Sequence, residues 1–374
     1  MGGFLLMHIA VLTSSRADFG IYLPLLNALK KDDFFELKLI VFGTHLSKFH
    51  GYTVQQIESE NFTADYKIDN ILTGDSPAAI ANSMGLTQTL FANFWANYAS
   101  NFDIVFCLGD RYEMFAAVVA GIPFGIKFAH LHGGETTTGA IDNIFRHGIS
   151  LASTYHFTAT EKAAERLMQL IASNNNVYPV GSLALDGLAN IPLLSVKDFK
   201  EKWNINLSID TLLCTMHPET VNVEGNESFA HQFCMALEAL PQQKIITLPN
   251  ADTSGAKIRE IIHHYFGKDA NTYIIENLGS VNYFSVLKNC LAVVGNSSSG
   301  IIEAASFNKW VINIGERQSG REQAENVINI PFNKEQIIAA VQQVVAAPEY
   351  TGSNVYFKNG ATANIVNILK SIHK

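Results

Sequence analysis

The segment from residue 130 to residue 147, HLHGGETTTGAIDNIFRH, is rich in groups that can transfer protons. It contains three histidines, two carboxylates and one arginine within 18 residues. An apolar run at residues 126–131 leads into the segment, and the run is broken at Gly133 and Gly134. Burying so many titratable groups for packing alone would carry a large desolvation cost. The segment therefore indicates an active site that uses acids and bases.

His130, His132 and Glu135 allow two interpretations. If the apolar run is a strand, His130 and His132 alternate along it and point to the same face. Together with Glu135 they form a possible set of metal ligands, but no further His or Cys at a suitable spacing completes the set. An acid–base cluster is therefore favoured over a metal site. Asp142 and Arg146 are four residues apart, so they would share one face of a helix, either as active-site residues or as a plain surface ion pair.

Composition excludes several classes of protein. A chain of 374 residues is long enough for two domains, and 48% hydrophobic with 16% charged residues is ordinary for a globular protein. The formal net charge of −8 provides no basic surface for nucleic acid. The four cysteines are far apart without a CxxC pair, which is typical of buried thiols in a reducing compartment. The apolar first twelve residues lack a basic start, a cleavage site and the length of a membrane span, so we expect a cytoplasmic protein without a membrane partner.

Apolar runs alternate with amphipathic segments along the whole chain. Continuous apolar runs suit parallel strands that are covered on both faces. The alternation predicts an α/β fold with two Rossmann-like domains and a central cleft at the carboxyl ends of the strands. The pattern relaxes at residues 181–195, so we place the domains at residues 1–187 and 188–357; the last segment could belong to either. The predicted strands are residues 8–12, 37–42, 104–108, 126–131, 155–158, 177–180, 211–216, 244–248, 273–275, 291–294 and 311–314, and the predicted helices include residues 22–30, 78–99, 111–120, 161–171 and 361–374.

Two polar clusters follow predicted strands of the first half. Small hydroxyl residues at positions 13–15, followed by Arg16, open a helix and form a reasonable seat for phosphate. The alternative is helix capping with Arg16 paired to Asp18 at the surface. Asp110 stands where strand 104–108 becomes a helix, so it could be an N-cap, and it could also reach the cleft.

In the second half, the sequence GNSSSGIIE at residues 295–303 is the most informative. A strand runs into Gly295 and three serines, and then into a helix with Glu303 in its first two turns. Backbone N–H groups at such a helix start can hold a diphosphate, and the carboxylate can bind ribose hydroxyls. The sequence is neither a Walker loop nor a GxGxxG loop. A capped helix without a ligand is the less favoured alternative.

Eight motifs together resemble the hydrolysing UDP-N-acetylglucosamine 2-epimerases of sialic acid synthesis. They are SRADFG (15–20), LGDRYE (108–113), HLHGGE (130–135), IDNxxRH (141–147), HPET (217–220), PNAD (249–252), GNSSSG (295–300) and GERQSGRE (315–322). The resemblance extends from about residue 7 to the C-terminus. It implies a GT-B-like two-domain fold in which the last helix, residues 358–374, crosses back to the N-terminal domain.

The resemblance also implies an activity. UDP-N-acetylglucosamine and water would be converted to N-acetylmannosamine and UDP, by elimination to 2-acetamidoglucal and rehydration. No metal, nicotinamide or other cofactor is implied, and the family is usually dimeric or tetrameric. The implied catalytic residues are Asp110, His132, Glu135, Asp142 and Arg146; the implied UDP-binding residues are Arg16, His217, Asn250, Val281, Ser297, Ser298, Ser299, Gly300 and Glu303; and the residues expected near the sugar are Asp18, Arg111 and Arg317.

One position departs from the pattern of the family. Non-hydrolysing relatives and the animal hydrolysing enzyme carry a Glu two residues after the first His of the HLHGGE motif, where this chain has His132. We therefore expect the catalytic acid or base at His132 itself or at Glu135. The start SSRADFG, in place of the GTRPE of the non-hydrolysing class, favours the hydrolytic branch.

Three alternatives stay open at this point. The sugar could be a 2,4-diacetamido-trideoxyhexose, the precursor of legionaminic acid. A GT-B glycosyltransferase would use the same nucleotide half but would need an acceptor, so UDP release without an acceptor separates the two activities. A non-catalytic nucleotide-sugar sensor would bind the UDP-sugar and release nothing.

Overall fold

The chain forms two compact units, each with its own sheet. The computed structural model describes residues 6–48, 51–72, 74, 76–138, 141–188, 191–219, 221–249 and 255–373. Unit 1 takes its residues from Met1–Thr136, Asp142–Gly187 and Tyr356–Lys374, and unit 2 from Thr137–Ile141 and Leu188–Val355. We propose these units as the two domains of the protein.

Unit 1 is built on a parallel sheet. Its elements are β1 (Met7–Thr13), α1 (Arg16–Lys31), β2 (Phe35–Phe42), α2 (Val54–Ser59), β3 (Tyr66–Ile68), α3 (Pro77–Tyr98), β4 (Ile104–Leu108), α4 (Tyr112–Gly121), β5 (Phe128–Leu131), α5 (Asp142–Ala152), β6 (Tyr155–Thr158), α6 (Glu161–Ile171) and β7 (Val177–Pro179). In the described residues the sheet has seven strands in the order β3-β2-β1-β4-β5-β6-β7. The chain order reverses between β1 and β4. Ligands of such sheets bind beyond the carboxyl ends of the strands at this point.

Unit 2 repeats this plan. Its elements are α7 (Val196–Trp203), β8 (Thr211–Thr215), α8 (Asn226–Glu238), β9 (Gln243–Thr247), α9 (Gly255–Phe266), β10 (Thr272–Ile275), α10 (Gly279–Asn289), β11 (Ala292–Gly295), α11 (Ser298–Ile302), β12 (Trp310–Ile314), β13 (Val327–Ile330) and α12 (Lys334–Ala346). Its described strands form one parallel sheet of six in the order β10-β9-β8-β11-β12-β13. Here the reversal falls between β8 and β11, so the carboxyl ends of these two strands are the expected ligand position.

The last helix, α13 (Ala361–Ile372), packs in unit 1 against α1. Its apolar stripe of Ala361, Ile365 and Leu369 is fully buried in the main core of unit 1. Polar contacts fix both ends of the helix, because Thr362 N–H donates to the Asp186 carboxylate at 2.7 Å and Lys370 Nζ lies 2.6 Å from Asp32 Oδ2. The amphipathic pattern of the segment is explained by this burial.

The predicted class, an α/β fold with two Rossmann-like sheets, is confirmed. The strands β3 and β13 were missed because they are short edge strands whose residues are only partly buried, so they lack a continuous apolar run. Helix α1 begins at Arg16, where the hydroxyl residues at positions 13–15 predict a helix start, and not at Tyr22, where the predicted helical segment 22–30 starts. The reason is Ser15, which is extended at the N-cap and accepts a hydrogen bond from the Asp18 N–H.

The described helices are too short or too polar to cross a membrane. The longest of them, α3, has 22 residues, and its apolar side chains alternate with polar ones. None of the described helices has the length and apolar character needed to cross a membrane.

Candidate active site

Asp110 lies in the turn between β4 and α4 and pairs with a residue of α5. Arg111, in an extended conformation, is the N-cap of α4, so the N-cap interpretation of Asp110 is wrong. The Asp110 carboxylate accepts a hydrogen bond from the Arg146 guanidinium. The side chain of Asp110 is 27% exposed and that of Arg146 is 1% exposed. The partly exposed Asp110 carboxylate is thus bound by the buried guanidinium of Arg146.

Arg146 connects the Asp110 carboxylate with the loop that carries Glu135. Its Nη1 donates to the backbone carbonyl of Glu135 at 3.3 Å. The alternative of a surface ion pair with Asp142 is wrong for Arg146, because the guanidinium is buried. Asp142 begins α5 one turn earlier and is partly buried. Both predicted catalytic residues of α5 therefore lie on the first turns of one helix.

His132 follows β5 and forms a pair with Glu135. Its φ of 63° lies in the left-handed region, so the chain has already left the strand, and the predicted alternation of His130 and His132 along one strand is wrong. His132 Nδ1 lies 2.9 Å from Glu135 Oε1, and both residues are buried. A carboxylate at Nδ1 favours the Nδ1–H tautomer and leaves Nε2 able to accept a proton. In the described residues, no group of three or more His, Cys, Asp or Glu could hold a metal ion.

Gly133 and Gly134 are required by close packing around this turn. A Cβ at Gly133 would lie 2.9 Å from His130 Nδ1 and 3.0 Å from Ser150 Oγ. Gly134 has a φ of 77°, and a Cβ there would lie 2.1 Å from the Ala163 carbonyl oxygen of α6. The glycines let the turn lie directly on α5 and α6, which fixes where Glu135 emerges.

His130 is a positioning residue that the sequence patterns did not distinguish from His132. It is fully buried, and its Nε2 donates to the Gly109 carbonyl at 2.9 Å while its Nδ1 accepts from Ser150 Oγ at 3.0 Å. Burial, with smaller contributions from neighbouring cations, lowers the pKa of His130 to about 3. The ring is therefore a neutral link between the turn carrying Asp110 and the helix carrying Arg146.

We expect unit 1 to lose stability in mild acid because of its buried neutral histidines. Burial lowers the pKa of His156 to about 4, beside a pKa of about 3 for His130. Above pH 6.5 neither the folded nor the unfolded chain protonates these rings. As the pH falls below 6.5, these histidines become protonated in the unfolded chain but stay neutral in the folded protein. Each ring therefore lowers the free energy of unfolding by about 1.4 kcal/mol per pH unit.

The fluorescence of Trp95 in a variant with Trp203→Phe and Trp310→Phe measures the unfolding of unit 1 in urea. His156→Asn should reduce the slope of the free energy of unfolding against pH between 6.5 and 5. An unchanged slope would contradict a neutral buried ring at this position.

Arg111 is fixed by a buried carboxylate. Its Nε donates to Glu113 Oε1 at 2.5 Å, and Glu113, in the first turn of α4, is fully buried. In the sequence, the only indication of this ion pair is that Arg111 and Glu113 are two residues apart in the motif GDRYE. Contact of Arg111 with the sugar stays a prediction, and Glu113 sets the direction from which it would approach.

Asp18 closes the turn after β1. One carboxylate oxygen accepts from the Ser14 N–H at 2.7 Å and from Ser14 Oγ at 3.1 Å, and the other accepts from Ser15 Oγ. Asp18 is 4% exposed, so the alternative of a surface pair with Arg16 is wrong for Asp18. The small hydroxyls thus shape the turn that presents Arg16. The predicted contacts of Arg16 with phosphate and of Asp18 with the sugar stay predictions.

In unit 2, Asn296 joins the carboxyl ends of β8 and β11. Its Oδ1 accepts from the His217 N–H at 2.7 Å, and its Nδ2 donates to the His217 carbonyl at 2.9 Å. Gly295 allows this approach, because a Cβ there would lie 1.8 Å from the Thr215 carbonyl oxygen. Asn296 is fully buried and positions His217, a role that the GNSSSG motif alone does not indicate.

The helix start that was predicted to hold the diphosphate is a short helix. Ser297 is the N-cap of α11, and its Oγ accepts from the Ser299 N–H at 3.4 Å. Ser298 is exposed. Glu303 is the C-cap of this five-residue helix, so it lies about one turn from the helix start. The binding of diphosphate and ribose at these residues stays a prediction.

Two contacts fix α11 in unit 2. A Cβ at Gly300 would lie 2.9 Å from Val311 Cγ1, so the glycine lets α11 pack against β12. Ser299 Oγ donates to Tyr283 Oη at 2.7 Å, which joins α11 to α10, the helix that carries Val281. The predicted nucleotide residues Val281 and Ser299 are therefore held on adjacent helices.

Arg317 was predicted to lie near the sugar, and the structure places it in unit 2 beside the loop of His217. Its Nη1 donates to the Pro218 carbonyl at 2.7 Å. The next residue, Gln318, donates from Nε2 to the Asn296 carbonyl at 2.9 Å. Arg317 is therefore grouped with the predicted phosphate residues. Asn250, predicted to contact the nucleotide, lies outside the described residues.

Comparisons with known proteins identify the family. The sequence model for UDP-N-acetylglucosamine 2-epimerase matches residues 27–370. The chain is 32% identical to the UDP-N,N'-diacetylbacillosamine 2-epimerase (hydrolyzing) of Legionella pneumophila, over 98% of this chain and 97% of the relative. It is 35% identical to the GDP/UDP-N,N'-diacetylbacillosamine 2-epimerase (hydrolyzing) of Campylobacter jejuni, over 87% of this chain and 84% of that relative. It is 30% identical to the UDP-N-acetylglucosamine 2-epimerase of Neisseria meningitidis, over 93% of this chain and 90% of that relative.

A solved structure supports the fold. The crystal structure of UDP-GlcNAc 2-epimerase from Neisseria meningitidis bound to UDP-GlcNAc matches with a TM-score of 0.82 and 19% identity, covering 98% of this chain and all of that one. At this identity the likeness concerns the fold alone. The family model and the relatives cover nearly the whole chain. The chain belongs to the UDP-N-acetylglucosamine 2-epimerase family.

Proposed function

We propose that the protein is a hydrolysing 2-epimerase of a UDP-linked 2-acetamido sugar. The observation that carries this proposal is the connected network in unit 1, in which Arg146 bonds both the Asp110 carboxylate and the Glu135 backbone, and Glu135 bonds His132. Proton transfer at a weakly acidic carbon requires positioned acids and bases of this kind. The hydrolytic type is supported by the names of the relatives from L. pneumophila and C. jejuni.

The reaction proceeds by elimination and rehydration. The bond between carbon 1 of the sugar and the diphosphate oxygen breaks, and UDP leaves with its electron pair. A base takes the proton of carbon 2, and the electron pair of that C–H bond forms the double bond of the glycal. Water then adds a hydroxyl to carbon 1, and carbon 2 regains a proton on the opposite face. Asp110 and Glu135 are our candidates for the base, with His132 and Asp142 serving the hydration.

Departure of UDP must lead, because the proton on carbon 2 is only weakly acidic. The sugar then gains oxocarbenium character and the diphosphate gains negative charge. Hydrogen-bond donors that are already in place stabilise such charge more than mobile water does. His217, held by Asn296, and the N–H groups after Ser297 are our candidates in unit 2, and Arg16 is our candidate in unit 1.

Two sugars of this class are supported by different relatives. The family description and the N. meningitidis relative favour UDP-N-acetylglucosamine, which would give N-acetylmannosamine for sialic acid and surface polysaccharide synthesis. The relatives from L. pneumophila and C. jejuni favour UDP-N,N'-diacetylbacillosamine, a 2,4-diacetamido sugar. Both sugars carry an acetamido group on carbon 2, the carbon that loses and regains a proton in the proposed reaction.

Measuring kcat/KM for both UDP-sugars without any acceptor tests the proposal and ranks the sugars. We expect UDP and a free sugar from at least one of them, with the preferred sugar identified by the larger kcat/KM. UDP release only after an acceptor is added would indicate a glycosyltransferase, and binding without release would indicate a sensor. Either result would overturn the proposed function.

A further inference from the structure

Glu219 is a buried carboxylate to which the proposed chemistry gives no role. It follows β8, two residues after His217, and is 4% exposed. Asn226, the first residue of α8, fixes the backbone of Glu219. The Glu219 N–H donates to Asn226 Oδ1 at 2.8 Å, and the Glu219 carbonyl accepts from Asn226 Nδ2 at 2.9 Å. A carboxylate on such a fixed backbone can itself act as an anchor.

The carboxylate holds the loop that follows β12. Its Oε1 accepts from the N–H of Glu316 at 2.8 Å and from the N–H of Arg317 at 3.2 Å. Gly315 has a φ of 81°, and a Cβ there would lie 2.4 Å from the same oxygen, so only glycine lets the carboxylate come this close. Burial raises the pKa of Glu219, while the two N–H groups and Arg317 oppose that rise.

Arg317 is thereby held at both ends. Glu219 binds its backbone N–H, and the carbonyl of Pro218 accepts from its guanidinium. Strand β11 lies between β8 and β12, and Gln318 bonds to the carbonyl of Asn296 at its end. The loops after all three strands are therefore connected by hydrogen bonds, and Arg317 lies among the predicted phosphate residues.

We propose that Glu219 is a positioning residue that fixes the Arg317 guanidinium for the diphosphate of the UDP-sugar. This proposal rests on the proposed function of unit 2. A guanidinium that is already ordered loses less side-chain entropy when the ligand binds, and its charge-assisted hydrogen bonds to phosphate are strong. Glu219 would act only through Arg317, so its effect should disappear when Arg317 is absent.

Dissociation constants for UDP and for uridine, measured by calorimetry and by NMR titration, test this role. Glu219→Ala should weaken UDP binding about tenfold or more, the scale of one charge-assisted hydrogen bond, and should leave uridine binding unchanged. Glu219→Gln keeps an acceptor for the two N–H groups and should stay within about threefold of the natural protein. In an Arg317→Ala background, Glu219→Ala should cause no further loss.

Asn326→Ala is the matched control for destabilisation. Asn326 is fully buried in unit 2 and donates to the Lys309 carbonyl at 2.8 Å, at the amino ends of β12 and β13. The Asn326→Ala variant should bind UDP with the affinity of the natural protein. If Glu219→Ala fails to fold, Glu219→Asp, which withdraws the carboxylate by one methylene, should show the same selective loss of UDP affinity.

Three results would overturn the proposal: natural UDP affinity in the Ala or Asp variant, an equal loss of uridine affinity, or a full additional loss in the Arg317→Ala background. Failure of the natural protein to bind UDP would instead contradict the proposed function of unit 2. The two failures are therefore distinguishable.

Discussion

Asp110→Asn should lower kcat for the UDP-sugar by at least about a hundredfold, the usual scale for the loss of an acid–base group. The substitution removes an accessible carboxylate that accepts a hydrogen bond from the buried Arg146 guanidinium. Because the Asp110 side chain is 27% exposed, loss of its charge should destabilise the fold by less than the ~3–5 kcal/mol of a fully buried pair. The variant is therefore assayed at a temperature at which circular dichroism shows it to be folded.

Asp65→Asn is a suitable control for Asp110→Asn. Asp65 also lies in unit 1, its side chain is 23% exposed, and it is paired with Lys38 at 3.5 Å and accepts from the Leu39 N–H at 2.8 Å. It stands before β3, away from the carboxyl ends of the strands. We expect Asp65→Asn to keep the natural kcat. A kcat for Asp110→Asn within a factor of ten of the natural value, or an equal loss in the control, would exclude Asp110 as a catalytic group.

Glu135→Gln and His132→Asn should each lower kcat at least about a hundredfold, and the double variant should be no worse than the poorer single variant. The expectation follows from the hydrogen bond between the two side chains, which makes them act as a unit. Asn is chosen for position 132 because it tolerates the left-handed φ of 63° better than most residues. The measurement is kcat for all three variants.

His8→Asn and Glu36→Gln serve as the control for this pair. They remove another His–Glu pair of unit 1, 3.1 Å apart, whose side chains are 46% and 40% exposed. These variants should turn over normally. Losses that multiply in the double variant of His132 and Glu135 would show that the two residues act independently.

Most of the fold followed from the sequence because most of its strands are continuous apolar runs. Strand β4 is buried at all five positions and was predicted with its observed bounds. Edge strands such as β13 were not predicted, because a partly buried strand can mix polar and apolar residues. A continuous apolar run indicates a strand that is buried on both faces, and this signal is weak wherever a strand is partly exposed.

The partners within the site could not be predicted in the same way. Spacing offered only a surface ion pair with Asp142 as the alternative for Arg146, and it gave no sign of the hydrogen bond to Asp110, which is 36 residues earlier in the chain. His130 and His132 look alike in sequence, yet the first is a buried link and the second faces Glu135 after a left-handed turn. Such pairings depend on how distant loops meet at the edge of a sheet, and local patterns do not contain that information.

We propose that the protein converts a UDP-sugar to UDP and a free sugar epimerised at carbon 2, by elimination and rehydration. Incubation in deuterium oxide, followed by NMR of the released sugar, tests this reaction. We predict a free sugar of inverted configuration that carries one deuterium at carbon 2, formed together with one UDP. Release of an unepimerised sugar with hydrogen at carbon 2, or a UDP-bound epimer without free UDP, would exclude elimination and rehydration by this protein.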